Sequence, residues 1–119
     1  MPSFRQGDVV KVPFPYTDRP TRQFRPALVV SAGGIEEEHG LLWVVMITSA
    51  ENRGWRGDLS VTNLPMAGLP VPSVIRTAKI ATIDARDAAR LGRVSPQLFR
   101  QVAALLARAL GPGEPRRRQ

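Results

Sequence analysis

The sequence predicts a mainly β domain of the α+β class: a small barrel of five or six short strands followed by a C-terminal α-helix. Three observations lead there. Short runs rich in β-branched residues are cut by frequent turn formers, with 11 prolines and 10 glycines in 119 residues. One nearly continuous apolar run, Leu41 to Ile47, suits a central strand covered on both faces. Sustained helical spacing occurs at the C-terminal end, from Ser95 to Leu110.

In chain order, Val9 to Phe14 reads as a short first strand, with Pro13 and Pro15 confining its end to an edge or turn. Pro15 to Phe24 is polar and aperiodic, and reads as an exposed loop. Pro26 to Ser31 is the second strand, and Arg25, preceding a proline, is biased toward extended backbone. Gly33-Gly34 and the acidic stretch to Gly40 read as a turn or loop, after which the apolar run emerges at Thr48-Ser49. Glu51 to Gly57 is a glycine-punctuated loop, and Asp58 to Thr62 alternates as a half-buried strand. Residues 65 to 72, with three prolines and a glycine, are connection. Ser73 to Arg76 and Lys79 to Ile83 form a strand pair or one long bent strand, and Asp87 to Leu91 could add a turn of helix. Ser95 is an N-cap with Pro96 at the first helical position, and Leu98, Val102, Leu105, Leu106 and Ala109 recur at helical spacing until Gly111. The expected organisation is one domain over 1–110 and a disordered basic tail over 111–119.

Composition narrows the function classes. Seventeen basic residues against ten acidic ones give a net charge of +7. Residues 1–60 carry seven of each sign, whereas residues 61–119 carry ten basic and three acidic, so the whole surplus lies in the second half. Such a field attracts polyanions, and arginine can hold a phosphate through two hydrogen bonds at once; a GC-rich coding sequence would raise the arginine count equally well. With no cysteine and a lone His39, disulfides, thiolate metal sites and a zinc centre are not expected. No run approaches the ~20 apolar residues of a membrane span, and the first residues lack a signal-peptide pattern, so a cytoplasmic protein without a membrane partner is expected.

Nucleotide-binding glycine fingerprints and metal motifs are absent. His39, in an acidic loop, is better read as solvated than as a base. Asp8, Asp18, Asp58 and Asp84 lie at strand edges or turns, where carboxylates commonly bond nearby backbone. What remains is Arg25 beside one strand, Thr48-Ser49 at the end of another, Arg76 near a third, and loops carrying Thr17, Asp18, Arg22, Arg53 and Arg56. Gathered on one rim they would bind an anion, and Trp55 and Phe24 could stack on exposed bases; dispersed, they are ordinary solvated surface.

Gly7-Asp8-Val9-Val10-Lys11-Val12-Pro13-Phe14-Pro15-Tyr16-Thr17-Asp18, followed by Arg25-Pro26-Ala27-Leu28-Val29-Val30-Ser31, resembles the opening of the MazF/PemK family of toxin endoribonucleases. Met46-Ile47-Thr48-Ser49, Ser73 to Arg76, Ala81 to Asp84, Leu91 to Ser95 and the terminal helix are similar to the rest of that family in order and spacing, from about Gly7 to Leu110. The resemblance implies an SH3-like barrel of five to seven strands, a homodimer, metal-independent cutting of single-stranded RNA with no cofactor, and a cognate acidic antitoxin. It also implies catalytic roles for Arg25 and Thr48. Arg76 matches an arginine used for catalysis in some members, which carry an acidic residue two positions later; here that position is Ala78. Ser49, Thr17, Asp18, Arg22, Arg53 and Arg56 join Arg76 as candidate substrate-binding residues.

Metal-free RNA cleavage needs the ribose 2′-hydroxyl to attack the adjacent phosphorus, leaving a 2′,3′-cyclic phosphate and a free 5′-hydroxyl. A guanidinium at residue 25 and a hydroxyl at residue 48 could stabilise the extra negative charge. The general base is unassigned, with Asp18 a candidate if its loop folds over the site. Two other readings stay open: a toxin of the same fold that binds a protein such as a topoisomerase, as CcdB-type toxins do, and an inactive RNA-binding barrel.

Overall fold

The computed structural model describes residues 2–15, 22–52 and 54–113, and of Arg22 the backbone alone. Among them, β1 (Asp8–Pro15), β2 (Arg22–Val29), β3 (Leu41–Ser49), β4 (Asp58–Ser60), β5 (Ser73–Asp84) and β6 (Ala89–Arg93) form one antiparallel sheet in the order β4-β5-β3-β2-β1-β6. The helices are α1 (Gly33–His39), α2 (Leu64–Ala67) and α3 (Pro96–Ala109). The mainly β fold with a C-terminal helix is as the sequence predicts. Among the described residues, no helix is long and apolar enough to cross a membrane.

β3 is the central strand, and its apolar run is buried on both sides from Val44 to Ile47, whereas Trp43, expected to be covered, is exposed. Val44 and Met46 enter one core with Val10, Val12, Phe14, Ala27, Val29, Leu42 and Ile83. Val45 and Ile47 enter the other, with Val9, Leu28 and Ile75 from neighbouring strands, Ala67 from α2, and Leu98 and Val102 from α3. Helix α3 starts where the capping residues require: the Ser95 hydroxyl accepts from the Leu98 N–H at 3.1 Å, and Pro96 occupies the first turn.

The sheet coils until β1 and β5 touch, although two strands separate them in the sheet order. Its two edges, β4 and β6, do not pair with each other. Helix α2, which leads from β4 to β5, instead packs on β6. Glycines permit that closure: a Cβ at Gly92 would lie 2.3 Å from the Met66 carbonyl oxygen, and one at Gly68 (φ +72°) would lie 2.1 Å from that of Leu91. Both neighbours are backbone and cannot rotate aside. Gly92→Ala is therefore expected to cost about 1–3 kcal/mol, lowering the melting temperature by roughly 4–8 °C per kcal/mol, as measured by thermal unfolding. Gly34→Ala, on a helix with open space at its Cβ, is the control that should not destabilise.

Four local expectations are corrected. Residues 22–24, read as loop, are strand: Phe14 pairs with Gln23 and Pro13 with Phe24. Prolines are tolerated there because β6 covers only Asp8 to Lys11 of β1, and β3 covers only Ala27 to Val29 of β2. Beyond those limits one edge of each strand is open, so a missing N–H breaks no ladder. The Gly33 to Gly40 segment is helical, ended by Gly40 in the left-handed region (φ 67°), and the Glu36 carboxylate holds the Ser3 and Phe4 N–H groups. Asp87 to Leu91 is largely strand β6, after a 3₁₀ turn over Ala85–Asp87. The connection 65–72 begins with the one-turn α2, capped by Asn63, whose side chain accepts from the Met66 N–H. The tail expected beyond 110 lies outside the described residues from 114 onward.

Candidate active site

Side chains alternate along β3, so Thr48 shares a face with Met46 and Val44. Continuing the β2–β3 register two residues past Ala27 opposite Met46 sets Arg25 opposite Thr48. On the other side of β3, Arg76 of β5 is opposite Met46, and Asp58 of β4 is opposite Arg76. Four strands therefore present Arg25, Thr48, Arg76 and Asp58 on one face of the sheet, at the end of a core.

A bulge makes this possible. Between the pairs Val45–Ile80 and Met46–Arg76, β5 carries three residues, Thr77 to Lys79, that oppose nothing in β3. An odd insertion reverses the alternation. Upstream of it in space, Ala81 and Ile83 face the same core as Val44 and Leu42; past it, that face is taken over by Arg76. In an unbulged strand Lys79 and Thr77 would face Met46 and Thr48.

The side chains make a connected network. An Arg25 Nη2–H donates to Thr48 Oγ1 at 3.4 Å, and Asn52 Nδ2 donates to the same oxygen at 3.0 Å. Thr48 is only 4% exposed and Arg25 is half-buried. Arg76, 7% exposed, holds Asp58 through Nε at 3.2 Å and Nη2 at 2.9 Å, and Nη2 also donates to the Asn52 carbonyl at 2.6 Å. Its guanidinium lies 4.4 Å from the centre of the Trp55 ring, and the Lys79 ammonium lies 5.6 Å from it. The Arg76 hydrogen bond and charge, with N–H groups of Trp55 and Gly54, hold the Asp58 carboxyl below its ordinary pKa, against the opposing effect of burial.

The sequence-predicted residues separate into three groups. Arg25, Thr48 and Arg76 share one face, although Arg76 is buried in an ion pair. Ser49 turns to the opposite face and its hydroxyl accepts from the Glu51 N–H at 3.2 Å, closing the turn after β3. Arg56 is exposed in the turn before β4. Phe24, 64% exposed, alternates away from Arg25, so it and the Trp55 ring do not form one stacking surface. Thr17, Asp18 and Arg53 lie outside the described residues, as does the Arg22 side chain. His39 ends α1 beside the start of β3, about 23 Å along the strand from Thr48 at ~3.3 Å per residue. Two residues of the network were not singled out by sequence reasoning: Asn52, four residues after Thr48 across a 3₁₀ turn, and Asp58, read only as a strand-edge carboxylate.

The model of a family described as "PemK-like, MazF-like toxin of type II toxin-antitoxin system" matches residues 5–110. The chain belongs to this toxin family. Solved structures of MazF proteins share its fold. A MazE–MazF complex from Deinococcus radiodurans is 22% identical with a TM-score of 0.70, over 91% of this chain and 95% of that one. An endoribonuclease in complex with its cognate antitoxin, from a mycobacterial species, is 19% identical with a TM-score of 0.68, over 97% and 100%. The Mycobacterium tuberculosis toxin MazF-mt6 is 19% identical with a TM-score of 0.66, over 87% and 95%. No curated protein matches the sequence. As a PemK-like, MazF-like toxin, the chain differs from members with an acidic residue two positions after the arginine of β5. The carboxylate on Arg76 comes from the neighbouring strand, as Asp58, and Ala78 sits exposed in the bulge.

Proposed function

We propose that the chain is a metal-independent endoribonuclease that cleaves single-stranded RNA, the toxin of a type II toxin-antitoxin pair in the cytoplasm. The reading rests above all on the meeting of the Arg25 guanidinium and the Thr48 hydroxyl at 3.4 Å. One is a permanent cation with a planar donor fork, the other a neutral donor and acceptor. Together they suit a phosphate that gains negative charge.

In the proposed reaction the 2′-oxygen forms a bond to phosphorus and the bond from phosphorus to the 5′-oxygen breaks. The 2′ proton leaves to solvent and the departing 5′-oxygen gains one. Arg25 donates to a non-bridging oxygen, where charge accumulates in the transition state, and Thr48 donates a further hydrogen bond. The products are a 2′,3′-cyclic phosphate and a 5′-hydroxyl. Trp55 beside Arg76 and Lys79 offers an aromatic surface for a neighbouring base. A homodimer and a cognate acidic antitoxin complete the reading; the antitoxin is supported by the basic surplus of residues 61–119 and by the antitoxin complexes among the similar structures.

The deciding experiment incubates a long single-stranded RNA with the protein in EDTA and maps the ends of the fragments. Cleavage leaving cyclic phosphate and 5′-hydroxyl ends is expected, slowed by roughly tenfold or more in Thr48→Ala, the loss of about one hydrogen bond to a charged group. Intact RNA would instead favour a protein-binding toxin or an inactive barrel.

A further inference from the structure

We propose that Asn52 is a positioning residue that aims the Thr48 hydroxyl at the scissile phosphate; this rests on the endoribonuclease reading above. A threonine hydroxyl has two acceptor positions and one hydrogen to give. At Thr48 both acceptor positions are filled, by Arg25 Nη2 at 3.4 Å and Asn52 Nδ2 at 3.0 Å. The hydrogen must then leave in the remaining direction about the oxygen. The hydroxyl becomes a donor with a set orientation, which is what a developing oxyanion needs. Arg25 alone would leave one lone pair open, and the hydrogen could rotate between two positions.

Asn52 is itself held in place. In the turn that carries it, the Ala50 N–H donates to the Pro72 carbonyl at 2.9 Å and the Glu51 N–H to Ser49 Oγ at 3.2 Å. The Asn52 carbonyl takes the 2.6 Å bond from Arg76, which Asp58 fixes in turn. These anchors involve the backbone of the turn. Changing the Asn52 side chain leaves all of them intact, so its effect on Thr48 can be read separately from folding.

The test is a double-mutant cycle on the full chain, with single-turnover cleavage measured at one mapped site in a long single-stranded RNA in EDTA. Asn52→Ala is expected to slow cleavage about tenfold with Thr48 present, and less than about twofold on the Thr48→Ala background, because the side chain acts through that hydroxyl. Asn52→Asp, which presents an acceptor and draws the hydroxyl hydrogen toward itself, should lose at least as much as alanine, with the melting temperature unchanged in both variants. Equal losses on the two backgrounds, or an Asn52→Asp protein as active as wild type, would overturn the assignment while leaving the nuclease reading standing. A wild type that leaves RNA intact overturns both. If Asn52→Ala does not fold, the Asn52 side-chain amide resonance decides: a shift on Thr48→Ala supports the bond, and an unmoved signal refutes it.

Discussion

Arg25→Ala is expected to slow single-turnover cleavage of single-stranded RNA by about 10²–10³-fold, the scale on which enzymes lose rate when a donor to a developing oxyanion is removed. The physical reason is that Arg25 is the cation in contact with the Thr48 hydroxyl, on an extended strand where its side chain projects over the end of the core. Arg25→Lys should recover only part of the loss, because an ammonium supplies charge without the planar fork. RNA affinity and thermal stability, measured alongside, should fall far less than the rate, since the residue is half-buried and in the proposed reaction it acts at the phosphate that gains charge. An Arg25→Ala protein within a few-fold of wild type would remove the basis of the nuclease reading.

The largest effect on stability is expected at Asp58. Its side chain and that of Arg76 are each only 8% exposed, and two hydrogen bonds join them. Asp58→Ala leaves the Arg76 cation buried without its counter-charge, for an expected loss of about 3–5 kcal/mol in chemical denaturation. Replacing both partners, Asp58→Leu with Arg76→Met, should recover much of it, because an apolar pair of similar size needs no desolvation of charge. The pH dependence follows from the direction of the shift. Because the Asp58 pKa is lower folded than unfolded, the pair stabilises fully above the ordinary aspartate pKa of about 3.9 and loses that contribution as the pH falls below it. Denaturation midpoints followed from pH 7 into this acid range should fall in the wild type and fall less steeply in the double variant. Identical slopes would show that another carboxylate sets the acid response.

Asp58 and Arg76 also separate two kinds of defect. Loss of either partner exposes or empties a buried site and then reaches Thr48 through the Asn52 carbonyl. In the proposed reaction, loss of Arg25 acts on the phosphate itself. Comparing the ratio of activity to stability across the two sets of variants distinguishes a residue that touches substrate from one that supports the turn beside it.

Patterns that live within a few residues were legible from the chain alone. The apolar run of β3, the Ser95-Pro96 start of α3 and the alternation of β4 depend on local periodicity and capping. The prolines of β1 were legible as edge markers, because β6 covers only Asp8 to Lys11, whereas residues 22–24, polar and aperiodic, hid a strand because their pairing with β1 is a property of the whole sheet. The acidic segment 33–40 concealed a helix because glycine at one end and glycine at the other look alike in sequence, while only Gly40 terminates.

By itself the sequence determined the mainly β class, the central strand, the terminal helix and the surplus of positive charge, because each follows from local periodicity or composition. It also supplied Arg25 and Thr48 as members of a family pattern. The tertiary structure alone decided that these two meet, that Asn52 joins them, and that Arg76 is paired with Asp58. Those relations depend on strand order and on a three-residue bulge that reverses which side chains face the core. Neighbouring strands join residues 18 to 23 positions apart, as with Arg76 to Asp58 and Arg25 to Thr48, and no local rule of sequence carries that register.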